Sequence, residues 1–442
     1  MVASGIPAEP ERKANSWGRI RARRSWRRML PSAKLALLLA VGTFCSAGDV
    51  PTEHMDLSQK DKEKAKERFR GPGSHETNRC SDLDMALFDK GKVCGSPLSH
   101  PCFDYSRCDS GPGGNGSGMY VYDSKCSLAD SDRLSFDGRL NGTKLDHHDA
   151  GWVWRSALRD TGLLAETYES ACLFIHVSTK GAKPCPPTAP LWNGGVNHVM
   201  VDFSDENRNG RPAVADSFAM EAASNMHTCY YRAGYDISMP LVPKNVFHEF
   251  EGIAPLDREF FVTVKGSVYL GGHGSEERMS LVPIHDEANG VIASMHCFEL
   301  HDEQLLAQNV KYCEALKARY EDHDYNSLMN TTFGLVPAGR SPGTYRLAEV
   351  MSAGAIPVFV ARDIIRPFSE QFDWPSFSFM FAPSQVEETM MDTLRGVSPE
   401  RLVTMQRKSR EAYWEIFGGE TGDFDPMAHK MLEILEQRLN HQ

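Results

Sequence analysis

No uninterrupted apolar stretch of this 442-residue chain reaches the ~20 residues that a membrane-spanning helix needs. It has no C-x-x-C pair, which weighs against a zinc site of the usual spacing. It has no H-E-x-x-H either, which excludes a zincin-type protease. No repeat occurs at solenoid spacing. Positive charge is in deficit, and a net of -11 argues against a nucleic-acid-binding protein. What remains is globular in composition, 41% hydrophobic and 24% charged, and long enough for two or three domains.

The deficit is uneven. Residues 1–48 hold nine Lys/Arg and two acids, a net of +7, while the rest of the chain carries −18. An asymmetry this steep at one end reads as an address. Residues 35–45 form an apolar run with the length of a signal-peptide core, and Cys45 and Ala47 are small residues at −3 and −1 of a cut after Ala47. The alternative is an uncleaved anchor counted from Met29, with Lys34 snorkelling to the interface. Arginines before the apolar run favour a cytosolic N-terminus either way. Ten of the eleven cysteines follow Cys45, and Cys80, Cys94, Cys102 and Cys108 crowd together. That usage suits disulfides in an oxidising lumen. Three sequons, at Asn115, Asn141 and Asn330, point the same way.

Residues 49–75 are charged, poor in aromatics and stem-like. After the glycine-rich run 111–118, strands are expected at 119–123, 171–177, 197–203 and 236–241, with helices at 149–169 and 213–224. The pattern then restarts. Strands are expected at 260–265, 290–295, 332–336 and 355–360, with helices at 344–353 and 398–417. Strands alternating with helices argue for a parallel α/β sheet in each half. The halves would join at 243–258.

The sharpest local pattern is Leu335-Val-Pro-Ala-Gly-Arg-Ser-Pro-Gly-Thr-Tyr-Arg-Leu-Ala-Glu349, a strand running through a small-residue loop into a helix. Gly339 and Gly343 let backbone approach a ligand, and Thr344 can cap the helix. A helix N-terminus offers free N–H groups and partial positive charge to a diphosphate. Arg340 and Arg346 flank it and can grip phosphate oxygens. Glu349 can accept hydrogen bonds from ribose hydroxyls. An ordinary βαβ turn with solvent-facing arginines fits the same residues.

This segment, with Pro357-Val and Pro367-Phe-Ser after it, resembles the signature of the exostosin glycosyltransferases. Further similarities run in order along residues 94–380: Pro101-Cys-Phe-Asp-Tyr-Ser-Arg-Cys108, Val121-Tyr, Ser170-Ala-Cys-Leu-Phe-Ile175, Leu191-Trp-Asn-Gly-Gly-Val-Asn-His198, Tyr231-Arg-Ala-Gly-Tyr-Asp236 and Val264-Lys-Gly266 with Gly274-Ser and Arg278. A colinear series is more specific than any one member.

The resemblance implies a GT-B fold: two Rossmann-like α/β domains facing across a cleft. Residues 80–242 would form the acceptor domain and 259–442 the nucleotide-sugar domain with the C-terminal helices, behind a basic signal region (1–48) and a stem (49–79). No cofactor is implied beyond a UDP-sugar as donor substrate, and no metal. The triplets at Asp82, Asp130 and Asp322 read as solvated carboxylates. Lys265 and Arg278 would neutralise the leaving diphosphate. Arg340, Ser341, Gly343, Thr344 and Arg346 would hold the phosphates, and Glu349 the ribose. The family inverts the anomeric carbon, so a base is needed, and His198 and Asp236 occupy family-like positions. A structural role competes for both, His198 bonding backbone and Asp236 capping a turn.

The implied partners are the UDP-sugar, a glycan acceptor and a homo- or hetero-dimer with another glycosyltransferase, with no nucleic acid. The implied place is the Golgi lumen, as a type II membrane protein if the N-terminal segment stays uncleaved, or the secretory lumen if it is cut. Family spacing implies the disulfides Cys94–Cys102, Cys108–Cys172 and Cys297–Cys313. Ala338 and Ser341 stand where members often carry arginine, which weakens the case for a uronate donor. Gly334 and Ala355 stand where the animal exostosins tend to have cysteine. The second transferase domain of the heparan polymerases does not follow, so a bifunctional polymerase is not expected. A catalytically silent partner or chaperone subunit is the main alternative, and a hydrolase lacks a convincing carboxylate pair.

Overall fold

The computed structural model describes residues 94, 102–108, 118–122, 150–165, 167–178, 192–203, 217–224, 226–270, 274–298, 309–339, 342–419 and 424–440. All of them belong to one unit of the chain, Met55–Gln442. The first sheet has five strands in the order β1 (Met119–Val121), β2 (Leu173–Ser178), β3 (His198–Asp202), β4 (Met220–Ala223) and β5 (Ile237–Ser238), all parallel. The second is also parallel, with β6 (Phe260–Val268), β7 (Val291–Cys297), β8 (Thr331–Pro337), β9 (Ile356–Val360) and β10 (Phe379–Phe381) in the spatial order β10-β9-β8-β6-β7. Two such sheets with covering helices are the GT-B architecture.

The central strands read as continuous apolar runs because their residues are buried on both faces. All seven residues of β8 are buried. The helices used below are α1 (Ala150–Asp160), α2 (Ser275–Met279), α3 (Val310–Glu321), α4 (Arg346–Ser352), α5 (Pro399–Phe417) and α6 (Asp425–Asn440). The start of α5 is built by Ser398, whose side chain accepts the Arg401 amide at 3.3 Å, with Pro399 at the first helical position. Although α6 follows the second sheet in the chain, it packs on α1 of the first. Its Met427, Ala428, Met431 and Leu432 share one core with Trp154 and Phe203.

One expectation fails outright. The run expected as a helix at 213–224 contains β4, held between β3 and β5. Met, Glu and Ala favour helix locally, but two neighbouring strands satisfy their backbone and bury them, and packing overrides a propensity of tenths of a kcal/mol. The three disulfides are formed as the family spacing implied. Cys108–Cys172 ties the leading segment to β2, and Asn197 adds to the tie. Its amide donates to Asp104 O (2.8 Å) and Cys172 O (2.9 Å), and its Oδ1 accepts the Asp104 amide (2.7 Å).

The sequons at Asn115 and Asn141, the apolar run 35–45 and the stem lie outside the described residues. The Asn330 sequon opens β8. Its Thr332 is buried and donates to Pro255 O at 2.6 Å, so a glycan would have to be attached before this strand folds. Among the described residues no helix is long and apolar enough to cross a membrane.

The strand ends meet across the two halves. Ser238 at the end of β5 donates to Ile365 O (2.7 Å) and accepts at its carbonyl from Phe368 N (2.7 Å). Met226 O takes the Ile365 amide (3.1 Å), and Thr228 N donates to Asp363 O (2.9 Å). These contacts lie at the C-terminal ends of the strands, the end at which open parallel sheets bind ligands.

Candidate functional site

The chain leaves β8 through Ala338 and Gly339 and enters α4 at Arg346. Arg340 and Ser341, both expected to hold phosphate, lie outside the described residues. A side chain at Gly343 would collide with the carbonyl of Ser224, the residue after β4, so only glycine lets this loop touch the opposite half. Gly274 needs its hydrogen for a related reason: at φ +74°, a Cβ there would strike Gly339 O. Thr344 Oγ1 accepts the Arg346 amide, the first of α4, at 3.3 Å.

Two of the expected cations are spent on backbone. Lys265 Nζ donates to Tyr320 O at 2.7 Å and to His323 O, and lies 3.9 Å from the Tyr320 ring centre. It therefore fixes the turn after α3. Arg278 donates from Nε to Ala338 O (2.9 Å) and from Nη1 to Ser267 O (3.0 Å). Burial lowers its pKa. It braces the loop after β8 from below. Both side chains brace the loops beside the expected phosphate site through these carbonyl oxygens.

Arg346 differs. It is 6% exposed, and its Nε and Nη2 have no hydrogen-bond partner. Its Nη1 reaches the Met329 sulfur at 3.5 Å, and the guanidinium lies 5.4 Å from the Tyr325 ring centre, close enough to act on the Tyr325 hydroxyl. Unmade hydrogen bonds on a buried cation are costly, and they are rare in native structures. Glu349 sits on the same helix and is 5% exposed. Its Oε1 accepts from Asn245 Nδ2 at 2.9 Å and its Oε2 from the Tyr325 hydroxyl. Protein donors thus hold both oxygens. Burial pushes the Tyr325 phenol up to about 12, so it stays a donor. Asn245 and Tyr325 went unseen in the sequence, where the sole sign was one aromatic in a polar turn, Asp322-His-Asp-Tyr325.

The two candidate bases both have protein partners. His198 opens β3 and Asp236 immediately precedes β5, so both lie at strand starts, away from the cleft. His198 is stacked against Phe174 and Tyr122 and edge-on to Trp192. Its Nδ1 lies 2.8 Å from Val196 O and its Nε2 3.2 Å from the Tyr122 hydroxyl, so both ring nitrogens are engaged. Burial lowers its pKa to about 4. Asp236 accepts four bonds: Glu221 N (2.9 Å), Arg232 N (2.9 Å), Arg232 Nε (2.9 Å) and Arg232 Nη2 (2.6 Å). It locks a turn onto β4.

Asp322 and Asp324 are exposed, and Asp324 caps its own turn through the Ser327 amide at 2.8 Å. Among the described residues, His285, Glu287 and His323 bring ligand atoms within 4.8 Å of one another. His285 Nδ1 accepts the Ala293 amide at 3.2 Å, a bond that coordination would disturb.

The Exostosin GT47 domain matches residues 170–397. Exostosin-1 of Drosophila melanogaster is 29% identical over 266 residues, covering 57% of this chain and 33% of that one. Exostosin-1b of Danio rerio is 25% identical over 381 residues, covering 82% of this chain and 47% of that one. The chain thus spans about half the length of such relatives, or less. Among solved structures, MurG of Acinetobacter baumannii aligns with a TM-score of 0.32 at 16% identity, over 63% of this chain and 76% of that one, too slight a likeness to add to the assignment. The domain match covers more than half of the sequence, and with the two parallel sheets it places this chain in the exostosin GT47 family of glycosyltransferases.

Proposed function

We propose that this chain is an inverting glycosyltransferase that moves a sugar from a UDP-sugar to a glycan or glycoprotein acceptor, without a metal ion, in the Golgi lumen. The observation that carries the reading is Arg346, a buried cation with two unpaired nitrogens on the first turn of the helix after β8. A diphosphate is the anion that this place in a GT-B fold suits. Donors already fixed by the fold gain most where charge develops, on the departing diphosphate, and they need no reorganisation. Arg278 and Lys265 hold the surrounding loops. Three disulfides fit folding in an oxidising lumen.

The test is calorimetric titration with UDP, followed by transfer assays with UDP-glucuronate, UDP-galactose, UDP-xylose and UDP-N-acetylglucosamine, each with and without EDTA. UDP binding and EDTA-resistant transfer support the proposal. Absence of UDP binding sinks it, and transfer abolished by EDTA and restored by manganese removes its metal-independent part. One observation favours a second reading, a catalytically silent partner subunit: His198 and Asp236 are both enclosed. UDP binding without transfer from any donor would support that reading.

A further inference from the structure

Arg346 and Glu349 lie three residues apart on α4, the spacing at which opposite charges meet on a helix. Both are buried, where an uncompensated charge seeks a partner most strongly. Yet they form no ion pair. The carboxylate is turned aside to Asn245, from the segment joining the two sheets, and to Tyr325, from the turn between α3 and β8. Arg346 keeps Nε and Nη2 unpaired as a result. Tyr325 is itself well placed, since Lys265 fixes the carbonyls of Tyr320 and His323 just before it and Phe247 packs against its ring.

We infer that Tyr325 and Asn245 are positioning residues that hold the Glu349 carboxylate away from Arg346, and so keep the guanidinium open to an anionic ligand. The inference rests on the donor-site reading above and assigns Glu349 a part that a ribose ligand would not play. Without the Tyr325 hydroxyl, one carboxylate oxygen loses its donor in a buried setting. Arg346 has unpaired donors three residues away on the same helix, a spacing that lets the two meet. A diphosphate would then compete with an internal carboxylate for the same nitrogens.

The test is UDP affinity, measured by calorimetry on the full chain, for wild type, Tyr325→Phe, Glu349→Gln and the double variant, with melting temperature as a fold check. Tyr325→Phe should weaken UDP binding by about tenfold, the scale of one charge-assisted contact. Glu349→Gln alone should bind within about threefold of wild type. The double variant should recover to that same level, because the competing charge is gone. A residue that only packs would give no such rescue, since losing two contacts is worse than losing one. Wild-type affinity in Tyr325→Phe, or a double variant no better than Tyr325→Phe, overturns the inference while leaving the donor site standing. Absence of UDP binding in wild type overturns both. If Tyr325→Phe does not fold, Asn245→Ala, alone and with Glu349→Gln, frees the other oxygen and asks the same question.

Discussion

Asp236 of the first half and Arg346 of the second are both buried charges within family-like motifs. Asp236 sits before its strand and takes four protein hydrogen bonds. Arg346 sits after its strand and leaves two nitrogens unpaired. The same contrast runs through their surroundings: His198 has both nitrogens engaged, and Arg232 is consumed by Asp236, the Ala219 carbonyl and a contact 4.7 Å from the Tyr235 ring centre. A buried charge whose bonds are all made is part of the fold. A buried charge with bonds to spare on the cleft side is where a ligand is expected.

The contrast breaks most sharply at Asp236. Asp236→Ala leaves Arg232 buried without its counter-charge and should cost about 3–5 kcal/mol, read from urea unfolding. If stability held and transfer alone were lost, Asp236 would be catalytic after all. Acidification tests His198. Its folded pKa is depressed, so its contribution is complete above the unfolded value of about 6.5 and is lost as pH falls towards about 4, a loss of about 3 kcal/mol by then. Proton NMR should find this ring neutral at pH 6, and a charged ring there would reverse the assignment.

Arg346→Ala should cut kcat/KM for the donor by about a hundredfold, close to 2.7 kcal/mol, while the melting temperature holds or rises, because the removed donors had no partner. A stability loss without a kinetic effect would put Arg346 alongside Asp236. The smallest effect should come from Thr344→Ala, which removes one hydrogen bond to the first amide of α4, about 1 kcal/mol by thermal melting.

Strand positions were legible in the sequence wherever apolar runs were long, as at 260–265 and 355–360. The 213–224 region was not, because Ala, Met and Glu carry a helical preference that only neighbouring strands override. The glycines of the loop after β8 announced a close approach, and Gly343 makes one, though against Ser224 of the other half. The place of Arg346 after a strand was legible, and its unpaired nitrogens were not. The partners of Glu349 were not legible, since they come from outside the motif.

Composition, periodicity and the colinear motifs determined by themselves that this chain is two parallel α/β halves of the exostosin kind, and the family's cysteine spacing indicated its disulfide pairs. Those are properties of short segments and of their order. Tertiary structure decided which charged side chains remain open. Glu349 meets Asn245 across 104 residues of sequence, and His198 meets Tyr122 across 76. A side chain's hydrogen-bonding capacity is local, but whether it is used up depends on residues that only the folded chain brings within 3 Å or so, the range of a hydrogen bond.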